Sequence, residues 1–367
     1  MDNSSVLLTN SGVDQVSGGG IVSTHLLKSL QEVSEVKLIV SKSPFPHNNL
    51  NGVRAECIEP SLWGYAATTP FFEDYLGCCF IKDEPIDLAV TYGCPWLMSL
   101  SKLRKENITK IICDLAPHNI KLSMAEFAKQ NQQYSYPHLV NPFLKELYLK
   151  HLRLADKVVV HSNSSAKYIK DEAMLKELPT VIPHGCEPPE KTVPLPDELA
   201  FGYAGALGAD KGLVYLVNSV IYYPEKIMLL LGGHDSTSFM INQKYQDRFK
   251  ILGNFNNMSY FYNQCSVGIF PSVTEGFGIC ILEMMAHARP VIVGMGAGAS
   301  ELVEDGKQGF VVDGRDIDEI QSKIKYFKDN PGEVKRMGLE ARKTAEQNTW
   351  DIIRKRYVDV YKELINI

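Results

Sequence analysis

Two glutamates eight positions apart, Glu275 and Glu283, flank a pair of glycines in the run Pro271-Ser272-Val273-Thr274-Glu275-Gly276-Phe277-Gly278-Ile279-Cys280-Ile281-Leu282-Glu283. The run follows a short apolar segment and opens a pattern of helical period. Gly276 and Gly278 let backbone N–H groups turn toward a ligand, and the helix expected to begin near Ile279 presents unpaired N–H groups and the positive end of its dipole. An anion can be held there without any side-chain charge. Glu283 falls about one turn inside that helix on the same side as Ile279, while Glu275 precedes it, so two carboxylates can bracket one ligand and accept hydrogen bonds from its hydroxyls. The plainer alternative is a tight turn between two exposed charges.

The pattern Glu-x7-Glu within Pro-Ser-x-x-Glu-Gly-Phe-Gly resembles the signature of the retaining GT-B nucleotide-sugar glycosyltransferases related to glycogen synthase, the group 1 glycosyltransferases. The resemblance continues through Ala288-Arg289-Pro290-Val291-Ile292, Glu301-Leu302-Val303-Glu304-Asp305-Gly306 and Gly309-Phe310-Val311-Val312. It is close over most of the second half of the chain and loose over the first. It implies that Glu275 meets hydroxyls of the transferred sugar. It also implies that the amides of Phe277, Gly278 and Ile279 meet the sugar and distal phosphate, and that Glu283 meets the ribose.

Three further segments resemble parts of the same family. Gly202-Tyr203-Ala204-Gly205-Ala206-Leu207-Gly208-Ala209-Asp210-Lys211-Gly212 is similar to the loop in which an arginine and a lysine neutralise the diphosphate; Lys211 matches the lysine, and Ala206 stands where the arginine is expected. Ser17-Gly18-Gly19-Gly20 before the helical run 21–30 resembles the first-domain loop that approaches the phosphate, which makes Gly19 and Gly20 candidates for ligand contact. Cys113-Asp114 ends a predicted strand where many relatives carry His-Asp, with His118 four residues beyond Asp114. Asp114, at the carboxyl end of a strand, is the candidate for the acceptor side, since ligands bind at that edge of open α/β sheets.

Two other motifs favour different chemistry. Asp316-Ile317-Asp318 has the form of a metal-binding Asp-x-Asp, but its place before a helix with Glu319 is explained more simply by capping. No metal site is therefore expected. Gly294-Met295-Gly296-Ala297-Gly298-Ala299 fits a dinucleotide fingerprint after strand 291–293, with Asp313 downstream, and supports an alternative reading as an NAD-dependent oxidoreductase. Against it, a dinucleotide fold opens with this turn and then needs several more strands, whereas only one strand and the terminal helices follow.

The elements that must position these residues are legible as alternation. Apolar runs at 6–8, 36–40, 88–90, 110–112 and 157–160 are separated by segments of helical period, and the alternation restarts at 199–203, 227–231, 250–252, 267–270, 291–293 and 310–312. This predicts an α/β protein of two doubly wound, parallel-sheet, Rossmann-like domains facing each other across a cleft, as in the GT-B type. The expected divisions are an acceptor-side domain at 1–183, a linker at 184–198, a nucleotide-sugar domain at 199–349, and a last helix at 350–367 that packs back on the first domain. Pro188, Pro189, Pro194 and Pro196 motivate the linker. A length of 367 residues suits two domains at roughly 150 residues each.

Composition narrows the class. Hydrophobic residues at 45% and charged residues at 22% suit a soluble globular protein, and a net charge of -5 gives no global attraction to nucleic acid. The eight cysteines show neither CxxC pairs nor zinc-like spacing, which favours free thiols in the cytoplasm. No stretch approaches the roughly 18 apolar residues of a membrane span. In the segment 143–157, Lys145, Lys150, Arg153 and Lys157 alternate with leucines; a solvated face over a core face explains this more simply than peripheral membrane contact.

The expectation is a metal-independent, retaining hexosyltransferase that needs no cofactor beyond its nucleotide-sugar substrate. Its acceptor would be a saccharide, lipid-linked or other hydroxyl. Glu275, Lys211 and Asp114 are the catalytic candidates. A second alternative is a catalytically idle GT-B scaffold that binds nucleotide sugar or a partner.

Overall fold

The computed structural model describes residues 4–9, 18–40, 54–57, 86–93, 97–105, 110–115, 120–130, 142–205, 208–232, 243–253 and 257–365. Contacts divide the chain into two compact units. The first comprises Met1–Ala116, Tyr136–Ile182 and Asp351–Ile367; the second comprises Pro117–Ser135 and Pro183–Trp350.

The first unit is built on a seven-stranded parallel sheet of strands β1 (Ser4–Thr9), β2 (Glu35–Val40), β3 (Arg54–Cys57), β4 (Leu88–Tyr92), β5 (Lys110–Asp114), β6 (Lys157–Val160) and β7 (Thr180–Val181), in the order β3-β2-β1-β4-β5-β6-β7. Its helices are α1 (Gly18–Gln31), α2 (Leu97–Lys105), α4 (Pro142–Leu154), α5 (Asn163–Ala173) and most of α11 (Trp350–Ile365). β4 is buried along its whole length, as a central parallel strand covered on both faces must be. Ser162 caps α5 by accepting from the Ser165 N–H.

The second unit carries a six-stranded parallel sheet of β8 (Ala200–Ala204), β9 (Met228–Gly232), β10 (Phe249–Gly253), β11 (Val267–Phe270), β12 (Val291–Gly294) and β13 (Gly309–Val312), in the order β10-β9-β8-β11-β12-β13. Around it lie α6 (Leu213–Ile221), α7 (Met258–Gln264), α8 (Ile279–Ala286), α9 (Ile317–Asp329) and α10 (Pro331–Glu346), together with a 3-10 turn at Ala209–Lys211. The strand order reverses between β8 and β11. That is the switch point at which open α/β sheets bind ligands beyond their strand carboxyl ends.

The two-sheet, doubly wound architecture agrees with the alternation in the sequence, and each apolar run falls on a strand. β3 and β7 were not anticipated: Arg-Ala-Glu-Cys and a two-residue Thr-Val strand carry too little apolar pattern to stand out. Two further differences concern boundaries. The proline-rich stretch 184–198 packs as part of the second unit, because the fully buried Arg289 donates from Nη2 to the Val193 and Pro194 carbonyls, and Arg342 donates to the Pro189 carbonyl. Helix α3 (Ile120–Lys129), which precedes β6 in sequence, groups with the second unit.

In the first unit, three of the four basic residues around α4 are matched by acids within the chain: Lys145 with Glu172, Arg153 with Glu146, and Lys157 with Glu363. Leu149 and Leu152 are buried in the core beneath. This is the solvated-face arrangement. Among the described residues, no helix is long and apolar enough to cross a membrane.

Candidate functional site

The second unit gathers the residues singled out around Glu275. β8 and β11 are neighbours, so the segments that follow their carboxyl ends, 208–212 and 271–278, lie side by side at the switch point. Two backbone bonds join them: the Asp210 carbonyl accepts from Val273 N at 2.9 Å and Thr274 N at 3.2 Å. The approach is close enough that a Cβ at Gly212 would lie 1.9 Å from the Pro271 carbonyl oxygen, and Gly212 adopts φ +70. Glycine is required there on both grounds.

This stitching sets the side chains. Lys211 Nζ lies 2.9 Å from Glu275 Oε1, and Ser272 Oγ donates to Glu275 Oε2 at 3.0 Å. Both members of the pair are about one-fifth exposed, so the ion pair borders solvent. The Glu275 backbone is fixed from the other side, its N–H donating to the Gly296 carbonyl at 2.9 Å and its carbonyl accepting from Gly298 N at 3.2 Å.

Helix α8 starts where Gly278 turns the chain with φ +94, a conformation costly for any residue with a side chain. Among the described residues, the N–H groups of Phe277, Gly278 and Ile279 meet no backbone acceptor, as expected at the mouth of a helix. The Phe277 ring is buried, its centroid 5.1 Å from that of His184, so only its backbone is placed to meet a ligand. Gly276 sits one residue beyond Glu275, in the same loop.

Glu283 is half-buried on α8, and Tyr262 Oη donates to its Oε2 at 2.6 Å. Burial pushes the Glu283 carboxyl above the usual range, and the Tyr262 hydrogen bond opposes that shift. Burial, together with the nearby Glu283 charge, lifts the Tyr262 phenol well above its ordinary value, which keeps it a proton donor. Cys280, between the two glutamates in sequence, is likewise pushed well up by burial and then by Glu275 and Glu283; it stays a thiol and is a poor nucleophile.

The first-unit candidates fall differently. Asp114 does end β5, but its carboxylate is turned into the core at 2% exposure: Tyr357 Oη donates to Oδ2 at 2.7 Å and His161 Nε2 lies 3.2 Å from Oδ1. This corrects the expectation that it faces an acceptor, because the carboxylate is committed to anchoring α11. Cys113 is buried with Sγ 3.1 Å from His151 Nε2, an imidazole held neutral by burial, which lowers its pKa to about 3. Gly19 and Gly20 lie inside the first turn of α1, which begins at Gly18, rather than in a loop before it. His118 and Ala206 lie outside the described residues.

Both competing motifs find structural explanations. Asp316 caps α9, its Oδ1 accepting from Glu319 N at 3.0 Å. The 294–299 glycine run leads into a 3-10 turn at Gly298–Leu302 and then to the edge strand β13, whereas a dinucleotide fingerprint belongs after the strand at the switch point. Its backbone instead supports Glu275 through Gly296 and Gly298.

Tyr262 and His151 were not foreseen. Each meets its partner across more than twenty residues of sequence, and no local pattern announces such a pairing. Ser272 carried a signal, its fixed place three residues before Glu275 in the motif.

Residues 198–330 match the family model described as Glycosyl transferases group 1. The matched residues lie within the second unit. Capsular polysaccharide biosynthesis glycosyltransferase CapM of Staphylococcus aureus is 27% identical over 183 residues, covering 46% of this chain and 48% of that protein. D-inositol 3-phosphate glycosyltransferase of Streptomyces avermitilis is 32% identical over 114 residues, covering 31% of this chain and 25% of that protein. The chain thus spans about half or less of the length of these curated relatives. Among solved structures, sucrose-phosphate synthase from Thermosynechococcus elongatus superposes with a TM-score of 0.77 at 19% identity over 100% of both chains. Anabaena HepE in complex with UDP superposes with a TM-score of 0.74 at 17% identity, over 99% of this chain and 100% of that one. The chain therefore has the fold of these structures, the GT-B architecture of two Rossmann-like domains.

Proposed function

We propose that the protein transfers a hexose from a nucleotide-diphosphate sugar to an acceptor hydroxyl, with retention of anomeric configuration and without a metal ion. The observation that carries the reading is the convergence of Lys211, Glu275 and the N-terminus of α8 at the switch point of the second sheet. One cation, one carboxylate and a set of helix-mouth amides suit a ligand that joins a diphosphate to a polyol. HepE, with the same architecture, has been solved with UDP-glucose.

The amides of Phe277, Gly278 and Ile279 and the Lys211 ammonium would hold the diphosphate. As the bond from the sugar's anomeric carbon to the leaving phosphate oxygen breaks, these groups stabilise the growing negative charge. The acceptor oxygen forms the new bond on the same face, and its proton passes to the leaving diphosphate. No enzyme nucleophile is needed. Glu275 orients sugar hydroxyls, and Glu283, held by Tyr262, accepts from the ribose. The acceptor is a hydroxyl compound such as a saccharide or lipid-linked sugar.

A catalytically idle scaffold would keep the binding and lose the turnover. Calorimetry with a panel of nucleoside diphosphates, combined with a nucleotide-sugar hydrolysis assay, separates the two. Binding with turnover supports the transferase. Tight binding without turnover makes the protein a binder, and binding of nicotinamide dinucleotide alone overturns both.

A further inference from the structure

Helix α3 lies in sequence between β5 and α4, two elements of the first unit, yet it packs on the 3-10 turn at Ala209–Lys211 in the second. Its contacts are specific. Tyr215, in the first turn of α6, donates from Oη to Glu126 Oε2 at 2.7 Å, and Lys129 Nζ donates to the same Tyr215 oxygen at 2.8 Å. Ser123 Oγ lies 3.4 Å from Asp210 Oδ2, and Leu122 packs against the second unit's core. Glu126, Ser123, Asp210 and Tyr215 are all buried, so these are enclosed polar contacts rather than surface pairings.

The segment from Ala209 to Tyr215 is therefore gripped on two sides. On one, the Asp210 carbonyl holds the 271–275 loop through Val273 and Thr274. On the other, α3 holds the Asp210 carboxylate and the Tyr215 hydroxyl. Lys211 sits between the two grips and reaches Glu275. A lysine on a short turn has no rigidity of its own, and the enclosed hydrogen bonds supply it.

We propose that α3 is the positioning element for Lys211, with Glu126, Tyr215 and Ser123 as positioning residues that keep the lysine in register with Glu275 and the α8 N-terminus. The inference deepens the proposed function and rests on it for the ligand, but α3's grip on the segment is independent of any ligand. Releasing that grip populates states in which Lys211 is misplaced, and apparent affinity falls by the fraction of molecules so displaced.

The test compares the full wild-type chain with Tyr215→Phe, with Ser123→Ala combined with Tyr215→Phe, and with Glu126→Gln, whose amide oxygen still accepts from Tyr215. Amide hydrogen exchange at Val273 and Thr274 is read without ligand, and affinity for UDP by calorimetry. The double variant is expected to exchange about tenfold faster at both amides and to bind UDP up to about tenfold more weakly. Glu126→Gln should stay within about threefold of wild type in both.

Unchanged exchange at Val273 and Thr274 overturns the inference whatever the affinity. Faster exchange with wild-type UDP affinity also overturns it, since α3 would then hold the segment without serving the ligand. A lowered thermal midpoint with neither change marks a purely structural helix and overturns it as well. Wild-type protein that binds no nucleoside diphosphate overturns the functional reading, while exchange alone still decides whether α3 holds the segment.

Discussion

The Lys211 ammonium and the Glu275 carboxylate are ion-paired at 2.9 Å across two segments that leave adjacent strands. Under the proposed function, an entering diphosphate would compete with Glu275 for the lysine, so that binding would exchange one anionic partner for another rather than recruit an idle cation.

Lys211→Ala should lower turnover by about tenfold to over a hundredfold, the worth of one charge-assisted hydrogen bond of roughly 1.5–3 kcal/mol to the leaving group. Lys211→Arg should keep part of the activity, because charge is retained while geometry changes. Steady-state kinetics with the active nucleotide sugar are the check, and near-normal turnover in the alanine variant removes the lysine from the mechanism.

The two glutamates should separate kinetically. Glu283→Ala should weaken nucleotide binding by about tenfold, roughly the worth of one or two hydrogen bonds, because it removes the acceptor proposed for the ribose. Glu275→Ala should mainly reduce turnover. Unchanged affinity in the Glu283 variant, measured by calorimetry, counts against its assignment.

Glu283 also predicts a pH-dependent stability effect. Its folded pKa is raised by burial above the ordinary 4.5, so the folded protein binds this proton more tightly than the unfolded chain does. The associated stability is present below about pH 4.5 and is lost as pH rises through the folded pKa. Glu283→Gln keeps an acceptor for Tyr262 and removes the charge. It should raise the thermal midpoint at pH 7 and have little effect below pH 4.5. An equal shift at both pH values would refute the burial argument.

Arg289 should be the most costly single residue to truncate in the second unit. Its guanidinium donates to four carbonyls, those of Cys265, His287, Val193 and Pro194, in a position 1% exposed. Arg289→Ala leaves buried acceptors unpaired and opens a cavity, at a cost of about 3–5 kcal/mol. Urea denaturation followed by a probe in the second unit would show it as a lower midpoint.

Turnover should survive EDTA, since the proposed charge stabilisation comes from Lys211 and helix-mouth amides. Complete loss restored by magnesium would overturn the metal-free mechanism.

Much of the second unit was legible because its chemistry is local. Glu275, Ser272, Gly278 and Glu283 lie within thirteen consecutive residues of one strand–loop–helix passage, and fixed spacing carries their geometry. Parallel strands buried on both faces also announce themselves as apolar runs, as β11 and β12 do. What escaped was set by contact across the chain. Asp114 ends a strand as expected, but its commitment to Tyr357, 243 residues later, has no local signature. Neither does the hydrogen bond from Tyr215 to Glu126, which groups α3 with the second unit.

The chain passes between its two units at 116–117, 135–136, 182–183 and 350–351. A fragment cut only at the last two crossings would carry the whole second sheet yet lack α3, leaving Tyr215 without its carboxylate and the Ala209–Lys211 turn without one of its two supports. The second unit is thus not a cassette that can be lifted out between two cuts. Any exchange of this unit between relatives by domain swapping would have to carry residues 117–135 along with it, or arrive with the turn that bears Lys211 short of one support.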